Sequence, residues 1–281
     1  MGTRLLIQRV SAGDPSSPHS QTYLSLLKKV IELVKDKDTE IRIRLLKKGM
    51  TDPNAFPYSF LHFINDREVL EAILEAEKDG FDSVLVYCFS DPAITEARQA
   101  MNIPVFGLAQ PAMLTAQMMG GRFGVVAMSS ESARRNEELM VKYGLREKVI
   151  LPIRRMPIPP SEQAEMIEDA HDGIEVFKEV AKAYIKDGAE VIIPACGTLA
   201  LALRIAPGCA ELPNGLTEVD GVPILDVVGC AIKWTEMMVA LKKAGSPWIS
   251  RAGLYAKPPV ELVEAAREQI PYRGSGFVDV E

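Results

Sequence analysis

Lys78 to Ser90 reads KDGFDSVLVYCFS, and 108 residues further on Lys186 to Thr198 reads KDGAEVIIPACGT. Lys, Asp, Gly and Cys are identical in the two stretches, and the apolar positions are largely kept. Each opens on turn residues, continues as a Val/Ile/Leu run of strand length and stops at a cysteine, Cys88 or Cys196. The duplication spreads outward. IPVFGLAQPAMLTAQMM (Ile103 to Met119) matches VPILDVVGCAIKWTEMM (Val222 to Met238) at a spacing of 119, and TRLLIQRVS (Thr3 to Ser11) matches RFGVVAMSS (Arg122 to Ser130) at the same spacing. The loop PGCAELPNGLTEVDG (Pro207 to Gly221) absorbs the difference, and its Pro, Gly and Asn content marks it as irregular.

Around these anchors, short apolar runs alternate with helical patterns: RLLIQRV, LSLLKKVIELVKD, EIRIRLL, EVLEAILEAEKDG, DSVLVYC. Such alternation predicts βαβ units and parallel sheets covered on both faces, an α/β fold. Each half reads strand, helix, strand, helix, cysteine-bearing strand, helix, strand, helix. Two similar lobes related by a pseudo-twofold axis follow. Ligands of open parallel sheets bind at the carboxyl ends of the strands, so the two cysteine loops are expected to face one another across the crevice between the lobes.

The chain's 281 residues, 47% hydrophobic and 25% charged, suffice for two compact lobes. A net charge of −6 with no dense basic run argues against nucleic acid or anionic lipid as partner. The richest basic stretch, Arg42 to Gly49, alternates with apolar residues and reads as an element with a solvated face. Nowhere do about 18 apolar residues run together, and the N-terminus lacks a secretory h-region, so a cytoplasmic setting is expected. Four cysteines make no disulfide scaffold in a chain this long, and neither CxxC nor zinc spacing occurs. His19, His62 and His171 lie far apart and read as surface or packing residues. No GxxxxGK[ST] or GxGxxG motif is present, so activity without PLP, metal or nucleotide is expected.

Taken singly, each cysteine would read as a small buried hydrophobe. Their equivalent positions, each two residues before a hydroxyl side chain (Ser90 and Thr198), argue instead for chemistry. Asp91 and Pro92 suit the N-cap and first position of a helix after Cys88, and GTLALALRI follows Cys196. Backbone N–H groups at such helix starts favour thiolate, which predicts pKa values below the ordinary 8.5 or so. Gly197 is expected to let the backbone approach a ligand. Cys209 sits in the unrepeated loop and Cys230 aligns with Pro111, so both are assigned structural roles.

YCFSDPAITEAR followed by NIPVFGLAQPA, then FGVVAMSS and IIPACGTLALAL, resemble the hydantoin and allantoin racemases of the Asp/Glu racemase superfamily. The likeness covers roughly Arg67 to Ala240. It implies racemisation without PLP, with Cys88 and Cys196 as the two catalytic thiols, and a small-molecule substrate is expected to be held by Ser11, Phe89, Ser90, Asp91, Ser129, Gly197 and Thr198. A homo-oligomer is also implied. In that fold the last helix of each half crosses over, giving lobes of residues 1–113 plus 233–281 and 114–232. The chain departs from the family at two points: QRVSAGDPSS replaces an Asn-rich loop of the kind NPNT, and Ser90 stands where hydantoin racemases usually have Gly. Extra sequence at 246–281 and 51–63 includes Phe56, Tyr58, Phe60 and Phe63, which read either as a lid or pocket wall or as packing.

A 1,1-proton transfer at a carbon next to a carbonyl is the leading expectation, with a 5-substituted hydantoin or related ureide as substrate. Rivals are an amino-acid racemase, a maleate-type isomerase, an arylmalonate-type decarboxylase and, outside catalysis, a small-molecule binding protein. A thiol redox role needs the two cysteines close enough to bridge.

Overall fold

The computed structural model describes residues 2–209, 212–272 and 276–280. The first half runs β1 (Thr3–Ala12), α1 (Pro18–Val34), β2 (Thr39–Leu46), α2 (Ser59–Lys78), β3 (Ser83–Tyr87), α3 (Ile94–Ala100), β4 (Val105–Phe106), α4 (Ala109–Met119). This is the order the repeat predicts. The second half starts with β5 (Phe123–Ala127), α5 (Ser130–Lys142), β6 (Arg154–Arg155), α6 (Pro160–Glu165), α7 (His171–Lys186). It continues through β7 (Val191–Pro194), α8 (Gly197–Ile205), a small hairpin of β8 (Glu218–Val219) and β9 (Val222–Pro223), and α9 (Val227–Lys243). A tail adds α10 (Val260–Gln269) and β10 (Phe277–Val280).

The strands form a five-stranded sheet ordered β10-β2-β1-β3-β4 and a three-stranded sheet ordered β6-β5-β7. Strand β1 pairs in parallel with β2 and β3, and β5 with β6 and β7. All side chains of β3, β5 and β7 are buried, because helices cover both faces of these strands. Helix α4, which follows the first sheet, packs against β7 of the second, while α9 packs against β3 of the first. The two helices also pack on each other, with Trp234 Nε1 donating to Thr115 Oγ1 at 3.0 Å. A single apolar core therefore runs from Leu5, Ile7 and Leu85 through these helices to Phe123, Val125 and Ile193. Among the described residues no helix is long and apolar enough to cross a membrane.

The basic stretch at 42–49 keeps Arg42, Lys47 and Lys48 exposed, as its sequence reading expects, but departs from it at Arg44. Arg44 is buried rather than solvated, because β10 pairs antiparallel with β2 and brings Phe277 over it. The guanidinium lies 3.5 Å from the Phe277 ring centroid and pairs with Asp79 at 3.0 Å and Asp279 at 2.9 Å. Removing both partners would strand a buried cation. Asp79→Ala with Asp279→Ala is expected to cost about 3 kcal/mol or more. Arg44→Met, which keeps an apolar filling between the rings, should cost less. Urea unfolding midpoints of the two variants check the order.

Candidate active site

The two cysteines leave their strands by the same backbone kink. Cys88 N–H donates to the Val86 carbonyl and Cys196 N–H to the Pro194 carbonyl, each at 2.9 Å. Both thiols are free and partly accessible, and both line one cavity of about 480 Å³. The ends of β1 and β3 supply one side of that cavity, and the start of α8 with a face of α5 supplies the other. Of the other residues named from the sequence, Ser11, Phe89, Ser90, Gly197 and Thr198 are on the lining. Cys209 is buried elsewhere, with its thiol 3.2 Å from the Ala202 carbonyl, and Cys230 sits in the α4/α9 seam near Thr115. Neither reaches the cavity.

Two predicted site residues lie outside the cavity lining. Asp91 does not cap the helix after Cys88; it is buried, and its carboxylate accepts from Ala109 N–H at 2.8 Å, Gln110 N–H at 3.0 Å and Tyr143 Oη at 2.7 Å. It thus satisfies the open amides at the start of α4. Helix α3 starts later, at Ile94, after Ala93 in a left-handed conformation, so Pro92 is not its first residue. Ser129 is likewise spent on a helix, capping α5 by accepting from Ser132 N–H at 3.1 Å.

Gly197 is required for a packing reason that the sequence reading did not include. The group that approaches its backbone is the ring of Tyr87, which occupies the space a Cβ would need, and Tyr87 Oη donates to the Gly197 carbonyl at 3.1 Å. The repeat signals this asymmetry: Tyr87 and Phe89 in the first copy correspond to Ala195 and Gly197 in the second. The Tyr87 ring of one loop fills the room left by the missing side chain of Gly197 in the other.

Both thiols titrate above, not below, the ordinary range. Burial pushes Cys88 up to about 11, against the pull of the Ser90 hydroxyl, whose Oγ lies 3.1 Å from the sulfur, and of the Ser90 N–H. Burial also raises Cys196, opposed by the N–H groups of Leu199 and Thr198, the Thr198 hydroxyl and the Arg9 charge. The donors foreseen at these loops are present, but desolvation outweighs them.

Of the remaining lining, sequence offered only Phe56 as a pocket wall, as one of two readings of its segment. His62 and His19 reach the cavity instead of serving only as packing or surface; His62 Nδ1 lies 3.1 Å from Asp66 and His19 Nδ1 3.1 Å from Glu168. Phe56, with Thr51 and Pro53, makes the aromatic segment a wall of the cavity, whereas Tyr58, Phe60 and Phe63 point outward and are exposed. Arg135 of α5 straps that wall down, donating to the Phe56 carbonyl at 3.2 Å and the Pro57 carbonyl at 2.9 Å. Arg9, at the end of β1, stacks on Tyr23 with its guanidinium 3.8 Å from the ring centroid. An arginine interrupting the apolar run RLLIQRV was the available signal for that site.

Two α/β sheets, parallel except for β10, thus exchange helices and each offer a thiol to one cavity, an enzyme-like α/β architecture. Comparison with known proteins agrees. The model of the family described as Asp/Glu/Hydantoin racemase matches residues 24–235. A hydantoin racemase from Pseudomonas sp. (strain NS671) is 29% identical over 210 residues, 74% of this chain and 78% of that protein. The solved allantoin racemases from Pseudomonas fluorescens and Klebsiella pneumoniae superpose with TM-scores of 0.72 and 0.71 at 21% and 22% identity. They span 91% of this chain in both cases and 97% and 94% of theirs. The chain belongs to the Asp/Glu/hydantoin racemase family and is an isomerase of its racemase type.

Proposed function

We propose that this protein interconverts the enantiomers of a 5-substituted hydantoin or related ureide, with Cys88 and Cys196 as opposed acid and base. The observation that carries the reading is that two free thiols from equivalent loops of the repeat line one cavity. One cysteine, as thiolate, removes the proton from the ring carbon beside the carbonyl; the other, as thiol, delivers a proton to the opposite face. The product leaves with thiolate and thiol exchanged, and solvent restores the starting pair. Ser90, Thr198 and their backbone N–H groups hold the developing enolate oxygen, where fixed donors act most strongly. The carbonyl and ring nitrogen of a hydantoin acidify that carbon more than a free amino acid does, which suits a site without a dedicated electrophile.

The proposal includes lobes of residues 1–113 plus 233–281 and 114–232, supported by the exchange of α4 and α9. It also includes cofactor-free turnover in a cytoplasmic homo-oligomer, with no nucleic acid or membrane partner. The free cysteines favour a reducing compartment, and exposed Phe60 and Phe63 on α2 and Leu262 on α10 favour self-association.

Proton NMR in D₂O on enantiopure hydantoins, allantoin, aspartate and glutamate tests the reading. Loss of the α-proton signal with loss of optical rotation is expected for hydantoins. Exchange confined to aspartate or glutamate, or absent throughout, would overturn it.

A further inference from the structure

The cavity holds two arginines, and they are not equivalent. Arg135 is committed to the Phe56 and Pro57 carbonyls. The Arg9 guanidinium has no hydrogen bond or ion pair among the described residues; the Tyr23 ring beneath it is its close partner. Arg9 stands opposite Tyr87 in the pairing of β1 with β3, and its charge reaches Cys196. The other acidic and basic side chains on the lining are already engaged. Asp14 accepts from Ser16 N–H and Ser16 Oγ at 2.8 and 2.6 Å, His19 is paired with Glu168, and His62 with Asp66.

A guanidinium fixed by stacking, with its donors uncommitted, matches a carboxylate better than it matches a neutral ring carbonyl. The ring's own polar atoms have other partners in the hydroxyls and amides of the two cysteine loops. At about 480 Å³ the cavity also has room for a substituent beyond the ring. The QRVSAGDPSS stretch, where this chain departs from the Asn-rich loop of its family, is the segment that brings Arg9.

We propose that Arg9 binds a carboxylate on the C5 substituent, so that the preferred substrates are hydantoins with an acidic side chain; this rests on the racemase reading above. The test pairs enantiopure 5-(carboxymethyl)hydantoin with its neutral isostere, 5-(carbamoylmethyl)hydantoin, in the wild type, Arg9→Gln and Arg9→Lys. The wild type should favour the carboxylate by about ten- to hundredfold in kcat/KM, the range expected of a charge-assisted contact. Arg9→Gln should abolish that preference, chiefly through KM, while Arg9→Lys keeps part of it. An equal fall for both substrates would overturn the proposal and assign Arg9 to the Cys196 thiolate instead. Racemisation of the carboxamide with no preference for the carboxylate would overturn it while leaving the racemase reading intact.

Alkylation separates the two readings if neither compound is racemised. Iodoacetate and iodoacetamide differ in the same charge, and the ratio of their rates at Cys196 should fall about tenfold in Arg9→Gln. A fall of that size upholds the anion site even where racemase activity is missing. An unchanged ratio overturns it.

Discussion

Replacing Cys88 or Cys196 by alanine is expected to lower racemisation by about a hundred- to ten-thousand-fold, the contribution of a positioned proton-transfer group. If the two thiols address opposite faces of one carbon, each replacement removes the base for one enantiomer and the acid for its mirror image. The surviving thiol can still exchange the α-proton of the enantiomer it faces. Deuterium incorporation without inversion should therefore appear in both variants, with opposite handedness, in NMR and chiral chromatography of the same samples. Cys209→Ala and Cys230→Ala should keep wild-type turnover, since neither side chain reaches the cavity. Near wild-type racemisation by both Cys88→Ala and Cys196→Ala would end the two-base mechanism and favour a binding role.

The pH dependence should be nearly as large. A thiol held at about 11 is ionised in about one molecule in a thousand at pH 8. Because the reaction needs one thiolate and one thiol, kcat/KM should climb with pH from neutrality, by about tenfold per unit until the first thiol of the pair titrates. Stability runs the other way. A thiol whose native pKa lies above the unfolded value of about 8.5 binds its proton more tightly when folded. Its contribution is whole below that value and is lost as pH rises toward 11, for Cys88 and likewise for Cys230. Initial rates across pH 6–10, read beside unfolding midpoints at each pH, separate the two trends. A flat profile from neutrality upward would show that the burial seen here does not set the working thiolate population.

The fold was legible because it is written twice. The KDG…C repeat and its flanks anticipate the succession of strands and helices in the first half, the parallel pairing and the two cysteines at one cavity, all of which depend on local runs that recur. What escaped depends on partners far along the chain. Asp91 looks like a cap for the residues that follow it, yet its amides are 18 and 19 positions away at the start of α4. Arg44 looks solvated until a strand more than 230 residues later covers it. The thiols show the same limit in energetic form: sequence reveals the donors beside a sulfur but not how much water the rest of the fold removes. Phe56 could be read as a pocket wall or as packing, and the contact that decides between them, the strap of Arg135 from α5, exists only in three dimensions.

The exchange of α4 and α9 bears on how the cavity can open. Two lobes joined by a single chain crossing are free to flex about it in any direction, like a leaf on a stalk. Here the chain crosses twice, once into α4 and once into α9, and the crossing helices lie packed side by side. Two adjacent crossings act as a pair of pins on one door: they leave a swing about the line between them and resist twist and slide. Were the lobes to close about that line, the Cys88 and Cys196 loops would return to the same alignment each time, which the proposed protonation of opposite faces of one carbon requires.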